Sequence, residues 1–255
     1  MKNYYFVGGQ SAAIAEVMVI LREKGVPFVR LQPDKYGICS LDNEEVDRVI
    51  AQGFFPVVIG VATARKDVIV LESYRPCVSS SPLQQVALME HHILTSEQEL
   101  ILYHDENREK QYPYSVEIMR YLFRLGYCRS DIEKVRACER SEQGITEAEE
   151  YAAEECIAKH RSQRGNLLII TDLPHCKYKA VLDRLFWEQS LQNVVIFTTD
   201  GKFFYAGFAD VALELMNKFN VCILHLCWAE GYFSDNVEQK RIVRYIASAS
   251  KAKMK

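Results

Sequence analysis

The eight cysteines of this 255-residue chain, at positions 39, 77, 128, 138, 156, 176, 222 and 227, include no Cys-x-x-Cys pair. Without paired spacing, a zinc-cysteine site is not expected. In a chain of this size, scattered thiols read as reduced core or surface residues. No Gly-x-Ser-x-Gly elbow is present, which excludes the usual serine-hydrolase turn. The absence of a Gly-x-x-x-x-Gly-Lys loop excludes the usual nucleotide cradle. Long hydrophobic runs are also missing, since Pro56–Ala62 and Leu167–Ile170 are strand-sized and far short of a membrane span. The opening residues MKNYYFVGGQ lack the basic region, apolar core and cleavage site of a signal peptide, so a cytoplasmic protein is expected. A net charge of -3 argues against general nucleic-acid or membrane-surface binding. There is no internal repeat and no low-complexity tract.

What is present is an ordinary globular composition, 49% hydrophobic and 25% charged, in a chain long enough for one large or two small cores. Tyr4–Val7 reads as a strand ending at Gly8-Gly9. Ser11 opens a helix to about Lys24, Gly25 stops it, and Phe28–Leu31 is the next strand. That order begins a βαβ fold. The two glycines before the helix either let backbone N–H groups meet an anion or simply make a tight turn. Asp42 caps a second helix, with Glu45 placed for a capping box. Phe55–Ile59 and Asp67–Leu71 read as further buried strands, the second ending at Glu72, where open α/β sheets gather ligands.

From Ser81-Pro82 to about Lys159 the pattern is helical. Thr146 and Glu149 box the last of these helices, and its many glutamates read as a solvated face. His160–Gly165 is a polar break and the expected domain boundary. It separates an α/β domain with a helical connecting region (1–160) from a smaller α/β domain (165–255). In the second domain, Asn166–Phe208 holds a strand, a loop with Pro174 and His175, a helix with Asp183 and Arg184, a second strand and an Asp200-Gly201 turn. The expected fold is thus two α/β domains, the first built on a parallel sheet, with the cleft between them as the default site.

His175, Lys177, Asp183 and Arg184 are the candidate substrate-binding residues. An imidazole and positive charge beside a helix N-terminus suit a phosphate or carboxylate. The bland reading is a polar loop followed by helix-surface charges. In the first half, Asp34, Glu72, His104 and Asp105 offer carboxylates at strand ends plus a histidine, a recipe for a divalent ion that activates water. His91 and His92 are neighbours on a helix, point about 100° apart, and do not readily share one ion. Cys176 beside His175 is not by sequence adjacency a nucleophile–base pair.

The layout resembles the DHH phosphoesterase superfamily. Pro33-Asp34-Lys35-Tyr36-Gly37-Ile38-Cys39-Ser40 is similar to that family's Asp-x-Asp-Gly motif followed by Ile-Cys-Ser, with Tyr36 in place of the second aspartate. Val70-Leu71-Glu72-Ser73-Tyr74 stands where a strand delivers Asp-His-His, with Ser73 and Tyr74 replacing the histidines. Asp105 matches the later aspartate. Asp183-Arg184 and Phe204-Tyr205-Ala206-Gly207 correspond to the substrate-binding domain, without its Gly-Gly-Gly-His loop. The resemblance implies a Mn- or Mg-dependent phosphoester hydrolase acting on a small phosphorylated or nucleotide-like substrate. Asp34, Glu72 and Asp105 would be its catalytic and metal-holding residues, with His104 beside them. The lost ligands imply an alternative: a silent DHH-like protein serving as a binding or partner subunit, or as a homodimer. A small-molecule binder using Gly8-Gly9 is a third reading.

Overall fold

A computed structural model describes residues 2–33, 39–61, 63–71, 81–106, 116–185, 193–219, 221–225 and 228–253. The chain divides into two compact units. Unit 1 holds Met1–Glu106 and Arg129–Gln143; unit 2 holds Asn107–Cys128 and Gly144–Lys255. The division falls at Gln143/Gly144, ahead of the polar break at 160–165, and shares the helical region between the units.

Unit 1 begins with β1 (Lys2–Val7), α1 (Ala12–Glu23), β2 (Phe28–Arg30), α2 (Asn43–Ala51), β3 (Phe54–Ile59) and β4 (Ile69–Leu71). The helices α3 (Pro82–Met89) and α4 (Ser96–Glu106) follow; α5 (Val116–Arg124) belongs to unit 2, and α6 (Arg129–Glu142) returns to unit 1. Ser11 caps α1, its hydroxyl accepting from the Ile14 N–H at 3.3 Å. Val17, Ile20 and Leu21, at helical spacing, bury its inner face. The positive φ of Gly25 (63°) then turns the chain out of the helix. The four strands are all parallel in the order β2-β1-β3-β4. Phe6 and Val58 pack against Val46 and Val49 of α2. β4 starts two residues later than the apolar pattern suggests: Asp67 lies ahead of it, its carboxylate paired with Arg65 at 2.6 Å.

Unit 2 continues from the Thr146 capping box through α7 (Glu147–His160), β5 (Arg161–Arg164), β6 (Leu167–Leu173), α8 (Tyr178–Leu185) and β7 (Asn193–Thr198). β8 (Lys202–Ala206), α9 (Ala209–Lys218), β9 (Val221–His225), β10 (Trp228–Tyr232) and α10 (Asn236–Lys253) complete it. The six strands run β5-β6-β7-β8-β10-β9, parallel only between β6 and β7. One face packs Leu168, Ile170 and Phe204 against α7 and α8. The other packs Leu167, Val195 and Tyr205 against α9 and α10. The polar break proves to be a strand: β5 pairs with β6 although all four of its residues are exposed. An edge strand needs only backbone pairing on one side, so it carries no apolar alternation, and its arginines discourage further strand addition. Among the described residues no helix is long and apolar enough to cross a membrane.

Candidate functional site

In unit 1 the strand order makes β1 the pivot. The chain leaves β1 for β2 on one side and then crosses to β3 on the other. The helical connections therefore diverge at the carboxyl ends of β1 and β3, the position at which open parallel sheets form a crevice. Two glycines bring these ends together. The Gly8 N–H donates to the Ile59 carbonyl at 2.8 Å. A Cβ on Gly8 would stand 2.6 Å from Val61 Cγ2, and Gly60 has φ +65°. Gly8-Gly9 is therefore a tight turn under close packing.

The α1 N-terminus beside that turn is filled from within. Glu139 of α6 accepts the Ala12 N–H on its Oε2 at 2.7 Å, and its Oε1 accepts from Gln143 Nε2 at 3.0 Å. Glu139 is 1% exposed. No local pattern in the sequence signals this residue, because its partner lies 127 positions away.

Of the four expected metal-holding residues, Asp34 and Glu72 lie outside the described residues. Their described neighbours end the two edge strands: Leu31 follows β2, and Leu71 closes β4. Those strands are three interstrand spacings apart, roughly 14 Å. Asp105 accepts the Ser81 hydroxyl at 2.6 Å, and Ser81 in turn caps α3 by accepting the Leu83 N–H at 3.3 Å. His104 is buried, and a neighbouring helical position diverges from Asp105 by about 100°. As a carboxylate, Asp105 is an oxygen donor of the kind a hard divalent cation takes. Among the described residues, no group of three His, Cys, Asp or Glu side chains gathers to hold an ion.

In unit 2 the candidate anion clamp lies between β6, α7 and α8. His175 Nδ1 accepts the Lys177 N–H at 3.1 Å, which leaves the proton on Nε2, 2.9 Å from the Glu149 carbonyl of α7. The imidazole fastens the loop to the helix. All three guanidinium nitrogens of Arg184 are engaged: Nη2 with Glu150 at 2.8 Å, Nε with Glu154 at 3.2 Å and Nη1 with the Ala180 carbonyl at 2.8 Å. Asp183 is buried, 3.6 Å from Lys179 Nζ. Glu150 and Glu154, which in the sequence read as solvated face, are thus Arg184's partners. Lys177 is half-buried at the entry to α8. The structure brings His175 and Arg184 against the same helix, α7, and places their polar atoms on protein partners.

Sequence reasoning missed a second polar group in unit 2. Cys176 Sγ lies 3.6 Å from Asp200 Oδ2, and the Tyr178 hydroxyl donates to Glu230 at 3.3 Å. Burial, then Asp200, pushes the Cys176 thiol up, so it remains protonated and a poor nucleophile. The Tyr178 phenol is also pushed up, by burial first and Glu230 next. The pairing of β10 with β8 sets Glu230 opposite Phe204, whose ring stacks on Tyr178 at 4.7 Å, so that Glu230 and the Tyr178 hydroxyl meet. Nothing short of the sheet register could have shown that.

No family model and no curated protein sequence matches the chain. Among solved structures it is similar to the pGpG-specific phosphodiesterase PggH from Vibrio cholerae, at 9% identity and a TM-score of 0.54. That likeness covers 98% of this chain and 99% of the other. Exonuclease RecJ bound to manganese is 12% identical with a TM-score of 0.46, covering 98% of this chain and 90% of that one. The DHH-like resemblance read from the sequence is therefore a distant one that holds at the level of the fold.

Proposed function

We propose that this chain is a phosphoesterase-like hydrolase acting on a small phosphorylated or nucleotide-like substrate. The observation that supports it is the end-to-end likeness in fold to a pGpG-specific phosphodiesterase, with 98% of this chain covered. Asp34, Glu72 and Asp105 would hold Mn or Mg, and that ion would supply a hydroxide nucleophile. Lys177, at the entry to α8, would meet the substrate's negative charge. His175 fixes the loop that carries Lys177, while Arg184 and Asp183 hold α8 itself in place.

The test is turnover of a panel of linear dinucleotides and nucleoside phosphates with Mn or Mg. Glu72→Gln and Asp34→Asn, each checked for folding, should abolish the activity, and chelation should remove it reversibly. No turnover with either ion across the panel would end this reading.

A second reading is favoured by the engagement of Arg184 with Glu150 and Glu154 and by Tyr36, Ser73 and Tyr74 in place of motif residues. Here the chain is a catalytically silent relative acting as a binding or partner subunit. A stable homodimer or heteromer by light scattering, together with absent turnover, is its expected outcome. A strictly monomeric, metal-loaded chain would count against it.

A further inference from the structure

We propose that Glu139 is a built-in anion that closes the β1–α1 turn to phosphate. This inference concerns the unit 1 crevice and stands whether or not the chain is a hydrolase.

A helix N-terminus following a parallel strand offers unpaired N–H groups and a positive end to negative ligands. Here α1 begins at the pivot of the sheet, beside the close contact of Gly8 with Gly60 and Val61. The usual side-chain cap is present, since Ser11 takes the Ile14 N–H. The first helical N–H, that of Ala12, goes instead to a carboxylate brought from another helix, 2.7 Å away. A carboxylate with 1% exposure is costly to desolvate, so its place is held by its contacts: Ala12 N–H on one oxygen and Gln143 Nε2 on the other. Both oxygens of Glu139 are therefore spent inside the fold. An incoming phosphate would compete for the same N–H against a tethered carboxylate that has no translational freedom left to lose. Anions approaching the carboxyl edge of this sheet are thereby turned away from β1–α1, and any anion recognition by unit 1 uses other positions.

The test follows the Ala12 amide by two-dimensional NMR of the full chain during titration with inorganic phosphate. In the unaltered chain the resonance should stay still. In Glu139→Ala it should move and saturate. A saturable shift in the unaltered chain overturns the proposal, and so does a folded Glu139→Ala chain whose Ala12 amide ignores phosphate. If Glu139→Ala does not fold, Glu139→Gln keeps an oxygen acceptor of the same size. Its Ala12 amide should move upfield as the charged acceptor becomes neutral, and should still ignore phosphate. An Ala12 resonance identical to that of the unaltered chain would show that the carboxylate is not the acceptor.

Discussion

Gly60 lies so close to Gly8 that a Cβ on Gly60 would stand 2.9 Å from the Gly8 carbonyl oxygen. The contact is backbone on backbone, so no side-chain rotation relieves it. Gly60 also sits at φ +65°, where an L side chain is strained. Gly60→Ala should therefore cost about 2–4 kcal/mol, combining the left-handed penalty with overpacking. Urea denaturation should show a lower midpoint at unchanged slope. Gly25→Ala, with positive φ but nothing within 4 Å of its Cβ, should cost only the conformational part.

Arg184→Ala should destabilise unit 2 by about 1–3 kcal/mol, because it leaves Glu150 without its cation and frees α8 from α7. Arg184→Lys should recover only part of this, since an ammonium cannot satisfy two carboxylates and a carbonyl in one plane. Thermal melts of the three chains test this. Full retention of stability in Arg184→Ala would return that residue to the list of free anion ligands.

Below pH 5 the α7 cap should weaken. The Thr146 backbone N–H, ahead of the Thr146 hydroxyl and Lys177, holds the Glu149 carboxyl below its ordinary value. A carboxyl whose folded pKa is depressed contributes stability above its unfolded value, about 4.3, and loses it as the pH falls through the folded one. Glu149→Gln, which keeps a capping-box acceptor but removes the charge, should flatten the acid limb of the stability profile, with a loss of about 0.3–1 kcal/mol at neutral pH. An unchanged acid limb in that variant would refute the assignment.

Tyr205→Phe should cost about 1–3 kcal/mol, because the buried Tyr205 hydroxyl accepts the Phe208 N–H at 3.0 Å at the start of α9. Gly207→Ala should do comparable damage, since its Cβ would fall 2.2 Å from that same oxygen. The double variant should relieve only part of the Gly207→Ala loss, because the hydroxyl is gone while the contacts with Asn193 Cβ at 2.5 Å and the ring Cζ of residue 205 at 2.6 Å remain, and a double-mutant cycle measures that share.

Much of the architecture is written locally. Ser11, Gly25 and the apolar spacing of Val17, Ile20 and Leu21 suffice for α1, and Thr146 with Glu149 suffices for the start of α7. Strand identity was legible wherever both faces are buried, as in β3, β6 and β7. It failed at β5 and β10. β5 lies exposed on a sheet edge, and β10 carries a glycine and a glutamate in a five-residue strand, so neither shows alternation.

The sequence alone determined the parallel βαβ start, the caps and stops of the helices, and which residues carry charge near strand ends. Those are short-range matters of spacing and backbone preference. Only the tertiary structure decided what those charges do. Glu139 reaches the α1 N-terminus, Arg184 is consumed by Glu150 and Glu154, Asp105 holds Ser81, and Tyr178 meets Glu230. Each partnership joins residues at least 24 positions apart, and such pairs are set by strand order and helix packing, which no local pattern encodes.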